Sequence, residues 1–140
     1  MIKSSFSREN TMRNLIILAL ALFTVASLAG QFLAPKEAQK WMKAENAVLL
    51  DVRETGELKA GGMALGAKWI PMSAIKSNSK EWTNFQKRLS KSQKVIIYCA
   101  SGGRAGRVES SLKEKGIKAF NMGGFRDWKA AGLPITQLKE

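Results

Sequence analysis

The chain contains no histidine and a single cysteine, Cys99. Without histidine there is no imidazole to serve as general base or metal ligand, so a Cys-His catalytic pair is excluded, and one cysteine cannot complete a zinc site. A lone cysteine also forbids an internal disulfide, and in an oxidising compartment an odd thiol invites intermolecular pairing. No cysteine follows Ala29-Gly30, where Gln31 stands, which argues against a lipid-anchored exported form. Acidic side chains are scarce too, 11 against 23 lysines and arginines, which leaves a net charge of +12. Internal repeats, low-complexity segments and nucleic-acid-binding motifs are all lacking. The scattered lysines therefore read as a solvated basic surface that attracts small anions, with no nucleic acid expected as partner.

What is present suffices for one compact domain: 140 residues, 45% of them hydrophobic. The first thirty residues differ from the rest. Lys3, Arg8 and Arg13 precede an apolar run from Leu15 to Leu28, and Ser27-Leu28-Ala29 forms a small-x-small cleavage pattern. This anatomy predicts a secretory signal peptide over residues 1–29. The alternative is an uncleaved membrane anchor over residues 14–33, because about 20 uncharged residues can span a bilayer. Either reading predicts export, to the bacterial periplasm or to its inner-membrane face, and contact with a membrane follows only if the segment stays uncleaved. Cleavage would leave 20 basic residues against 10 acidic ones, a charge of +10.

Along the remaining chain, Pro35 suits a helix start, and Ala38, Trp41 and Met42 share one face of a short helix ending near Ala44. Ala47-Val48-Leu49-Leu50 is a continuous apolar run, as in a strand buried on both faces. The four glycines between Gly56 and Gly66 predict an irregular connection, and Ala67 to Ile70 a second short strand before Pro71. Trp82, Phe85 and Leu89 space as the buried stripe of a helix. Val95 to Tyr98 is the clearest strand; after it Ala105, Val108 and Leu112 mark a helix that stops at Gly116. Ile117 to Phe120 adds another strand, and Gly123-Gly124 opens a last helix whose Phe125 and Trp128 are core residues. Alternating strands and helices predict an α/β domain with a mostly parallel open sheet and helices on both faces.

Cys99 falls at the carboxyl end of a strand, where open α/β sheets bind ligands. The turn that follows, Ala100-Ser101-Gly102-Gly103-Arg104, lets backbone N–H groups converge on one point, and the next helix adds its positive dipole end. Such a cradle favours thiolate over thiol without any histidine. An inert, buried cysteine is the plain alternative.

These residues resemble the six-residue Cys-x-x-x-x-Arg active-site loop of the rhodanese family. Three further segments are similar to its other signatures: Leu50-Asp51-Val52-Arg53-Glu54, then Gly66-Ala67-Lys68-Trp69-Ile70-Pro71, and Gly123-Gly124-Phe125-Arg126-Asp127-Trp128 running on to Ala131-Gly132-Leu133-Pro134. The resemblance implies a rhodanese domain over residues 33–137, without a cofactor or metal. It further implies a sulfurtransferase that moves a sulfane sulfur from a small anionic donor such as thiosulfate, through a Cys99 persulfide, to cyanide, a thiol or a protein acceptor. The N–H groups of Ala100, Ser101, Gly102, Gly103 and Arg104 would bind substrate and stabilise departing charge. Arg104 would contact the donor or brace the loop. Asp51 and Arg53 would form an ion pair supporting adjacent loops.

Many relatives place arginine or lysine where Ala100 stands, so weaker thiosulfate binding is expected. Two other classes compete. A cysteine phosphatase needs five residues between cysteine and arginine, whereas four intervene here. A non-catalytic binding module would typically lack the cysteine, whereas Cys99 is present; a redox-sensing module that uses Cys99 as its thiol is a variant of that class.

Overall fold

A computed structural model describes residues 31–44 and 46–138, so the expected signal or anchor segment lies outside the described residues. Helix α1 (Pro35–Ala44) leads into strand β1 (Ala47–Asp51). Then follow helix α2 (Thr55–Gly61), the short strands β2 (Met63–Ala64) and β3 (Lys68–Trp69), and helices α3 (Met72–Lys76) and α4 (Lys80–Arg88). Strand β4 (Lys94–Cys99), helix α5 (Gly103–Glu114), strand β5 (Lys118–Gly124), helix α6 (Phe125–Ala130) and strand β6 (Ile135–Thr136) complete the order.

Strands β3, β1, β4 and β5 lie side by side in that order, and every pairing is parallel. The alternation of β4 splits the core into two layers. Val95, Ile97 and Cys99 face one layer with Trp82 of α4 and Ala105, Val108 and Leu112 of α5. Ile96 and Tyr98 face the other, with Ala38 of α1 and Phe125 and Trp128 of α6. Because both faces are covered, the two central strands carry unbroken apolar runs, and their backbone groups pair inside the sheet away from water.

The expected irregular connection between Gly56 and Gly66 is instead partly regular. One local and one tertiary feature outweigh the low helix propensity of Gly56 and Gly61: the Glu57 carboxylate accepts the Glu54 N–H at 2.9 Å, capping α2, and Leu58 is wholly buried. Glu54 in turn accepts the N–H and hydroxyl of Ser73 at 3.0 and 2.9 Å, tying α2 to the start of α3. Strand β2 pairs antiparallel with β6, Ala64 opposite Ile135, a ribbon of two residues per strand that carries too little periodicity to be read from sequence. Strand β5 runs on past Phe120 to Gly124 because a bulge at Met122 lets it stay paired to β4: Ile97 lies opposite Asn121, but Tyr98 opposite Gly123 and Cys99 opposite Gly124.

Candidate active site

Strand β4 delivers Cys99 to the carboxyl edge of the sheet, where the chain turns at once into α5. Gly102 caps that helix in the left-handed region, φ 104°, a conformation costly for any residue with a side chain. The turn folds back so that the Gly102 N–H donates to Sγ of Cys99 at 3.0 Å. Burial pushes the Cys99 thiol up, but the N–H groups of Ala105, Ser101, Gly102 and Arg104 overcome it, and the net shift is downward. The loop supplies the charge stabilisation that a histidine or metal supplies elsewhere. Ala100, Ser101 and Gly103 are exposed, whereas Cys99 and Gly102 are buried. The mouth of the cradle is thus backbone and small side chains.

Arg104 does not stand free over the loop. Its Nη1 and Nη2 donate to Oε2 and Oε1 of Glu57, each at 2.7 Å, in a two-pronged pair. The pair holds the Glu57 carboxyl down at about 2, first through the Arg104 hydrogen bonds and against its own burial. It also keeps Arg104 charged, with the Cys99 sulfur a lesser contributor. The brace that closes the loop is therefore a salt bridge from α2 to α5.

Three neighbours complete the site, and of these the sequence marks only Gly124, as part of a helix start. Gly124 lies beside Cys99 in the ladder, and a Cβ there would run into the Ala100 carbonyl oxygen, so only glycine lets the loop pass. Asn121 donates from Nδ2 to the Gly102 carbonyl at 2.9 Å and accepts the Gly123 N–H at 2.8 Å. Phe32, half-exposed, lays its ring over Gly102 and Gly123, and Leu33 anchors that segment by donating to the Asn121 carbonyl at 2.8 Å. The glycine pair at 123-124 was a legible signal; Asn121, Glu57 and Phe32 had none.

Asp51 and Arg53 sit elsewhere. Arg53 donates from Nη2 to Asp51 Oδ2 at 2.6 Å and to the Gly62 carbonyl at 2.7 Å, and its guanidinium lies 4.0 Å from the Phe125 ring centre. Phe125 and Tyr98, which the guanidinium overlies, belong to the core layer opposite Cys99, so the pair braces the β1 end against α6 and the β2 turn. A cavity of about 550 Å³ opens at the outer edge of β3, lined by Trp69, Ile70, Phe85 and Leu89 with Lys68 and Arg88. It includes no residue of the Cys99 loop. Among the described residues no group of acidic, cysteine or histidine side chains is arranged to hold a metal.

A parallel α/β sheet with a cysteine-bearing loop between strand and helix defines a class of small cysteine-centred domains. Within it the chain belongs to the rhodanese-like domain family, whose model matches residues 34–131. The thiosulfate sulfurtransferase GlpE of Actinobacillus succinogenes is 30% identical over 105 residues, covering 74% of this chain and 87% of the relative. YqhL of Bacillus subtilis (strain 168), an uncharacterised protein, is 29% identical over 126 residues, covering 84% and 94%. Among solved structures, a rhodanese-related protein from Thermoplasma volcanium superposes with a TM-score of 0.62 at 25% identity, over 77% of this chain and 99% of that one.

Proposed function

We propose that the domain is a sulfurtransferase that carries sulfur on Cys99. The Cys99 thiolate attacks the sulfane sulfur of a donor such as thiosulfate; a new S–S bond forms, the donor's S–S bond breaks with its electron pair, and sulfite leaves. The outer sulfur of the persulfide then passes to cyanide, a thiol or a protein thiol, and the thiolate returns. The observation that carries this reading is the Gly102 N–H aimed at Sγ from 3.0 Å, with the neighbouring loop N–H groups lowering the thiol pKa. Those donors match a compact anionic sulfur, and the likeness to GlpE supports thiosulfate as the first donor to try.

Mass spectrometry after thiosulfate treatment tests the proposal: the wild type gains one sulfur atom and Cys99→Ser gains none, and only the wild type makes thiocyanate from thiosulfate and cyanide. A wild type that gains no sulfur and makes no thiocyanate overturns it, and turnover of an aryl phosphate would point to the phosphatase chemistry instead. We also propose export, on the basis of Lys3, Arg8, Arg13 and the apolar run to Leu28. N-terminal sequencing of protein recovered from the periplasm, starting near Gly30, is the expected result.

A further inference from the structure

The side chain of Asn121 stands where three segments meet. Its Nδ2 donates to the Gly102 carbonyl at 2.9 Å, its Oδ1 accepts the Gly123 N–H at 2.8 Å, and its backbone carbonyl accepts the Leu33 N–H at 2.8 Å. Because one end of the amide faces a carbonyl and the other an N–H, its orientation is dictated by its partners and cannot be reversed without two repulsive contacts. Gly106, one turn into α5, makes room: a Cβ there would come 3.3 Å from Nδ2. The Gly102 carbonyl also accepts the Gly106 N–H at 2.9 Å, so two donors hold that one oxygen. Gly102 is the residue whose own N–H reaches Sγ, and it does so from a left-handed conformation that nothing in its own chemistry enforces.

We propose that Asn121 is a positioning residue of the sulfur site: by gripping the Gly102 carbonyl from β5, it keeps the Gly102 N–H aimed at Sγ, where that N–H favours thiolate over thiol. This rests on the reading of Cys99 as the nucleophile. A glycine at a left-handed helix cap is free to rotate its peptide away from the sulfur. Its carbonyl lies in the following peptide group, and tethering that group to a sheet narrows the φ and ψ rotations by which the N–H would leave the sulfur, as preorganised sites hold their donors before substrate arrives. The charged groups around the loop are Arg104 on α5, Glu57 facing it from α2, and Asp127 on α6, whose carboxylate accepts the Gly124 N–H at 2.9 Å. The Asn121 amide hydrogen-bonds to backbone of Gly102 and Gly123, so replacing it breaks no bond to these charged groups.

The test is the pH profile of Cys99 alkylation by iodoacetamide, measured on wild type, Asn121→Leu and Asn121→Asp in 1 M KCl, with circular dichroism to confirm folding. Leucine keeps the size and loses both hydrogen bonds; aspartate keeps the acceptor for Gly123 but turns an oxygen towards the Gly102 carbonyl. Aspartate also brings a negative charge, which salt screens poorly at a partly buried position, so the profile of the neutral Asn121→Leu variant decides the assignment. Both variants are expected to titrate at higher pH, with alkylation at pH 6 about fivefold to tenfold slower than wild type and converging on it at high pH, as a loss of up to about one pKa unit requires. Folded variants with the wild-type profile would overturn the assignment and leave Asn121 as a bulge residue of β5. The two proposals fail separately. A wild type that transfers no sulfur but shows the Asn121-dependent shift sinks sulfur transfer alone, and a wild type that turns over thiosulfate while its variants titrate unshifted sinks the role of Asn121 alone.

Discussion

Glu57 gives Arg104 a job other than gripping an anion. With its charge matched by a carboxylate at 2.7 Å, Arg104 presents little net attraction to a dianionic donor, and Ala100 adds none. Glu57→Gln should leave that charge uncompensated, so KM for thiosulfate is expected to fall about threefold to tenfold; steady-state kinetics at low ionic strength would show it, and a raised KM would mean the brace matters more than the field. The same substitution tests the pH dependence. The folded carboxyl titrates near 2, below its ordinary 4.5, so the folded state binds fewer protons between those values. Its stabilisation is present above about pH 4.5 and is lost as pH falls towards 2. Both partners are partly exposed, so the cost at pH 7 is about 1 kcal/mol or less, and urea unfolding of wild type and variant should converge only as pH falls to about 2.

The strand, loop and helix unit β4–α5 places the thiol, and β5 decides whether the loop has room. Gly124 passes so close beneath Ala100 that a methyl group there collides with backbone, which cannot swing aside as a flexible side chain would. Gly124→Ala is therefore expected to displace the loop, slowing Cys99 alkylation at pH 7 by at least about tenfold, with roughly 1–3 kcal/mol lost from overpacking. Retained reactivity and unchanged urea unfolding would contradict the crowding. The helices show the complementary case. Trp82, Phe85 and Leu89 space as one face of α4, with Leu89 just beyond its end, and pack into the same layer as Val108 and Leu112; this was readable because burial repeats with the helical period. Helix α2 was not, since Glu57, which caps it by accepting the Glu54 N–H, and its single buried anchor, Leu58, lie among glycines whose propensities point elsewhere.

At the scale of the whole domain, a buried charge pair holds one end of the core layer opposite Cys99. Asp51 is fully buried and Arg53 nearly so, and burial opposes the Arg53 charge while Asp51 more than restores it, leaving its pKa raised. Arg53→Leu would strand the Asp51 carboxylate in the core, and about 3–5 kcal/mol of stability should disappear in chemical denaturation, far more than any surface pair yields. Because the pair belongs to the layer opposite Cys99, the folded fraction should keep the wild-type alkylation profile; a shifted profile would tie Asp51 and Arg53 to the site after all. The parallel sheet and its helix-covered faces were legible because the apolar runs of β1 and β4 follow from burial on both sides, a property each segment carries in its own residues. The Cys99 loop was legible for the same reason: cysteine, glycines and helix start are contiguous. What surrounds the loop was decided only by the tertiary fold. Glu57 lies 47 residues from Arg104 and Asn121 lies 19 from Gly102. A glutamate between glycines and an asparagine in a strand carry no period or motif of their own, so their meaning arises when chain crossing and strand register bring them to the sulfur.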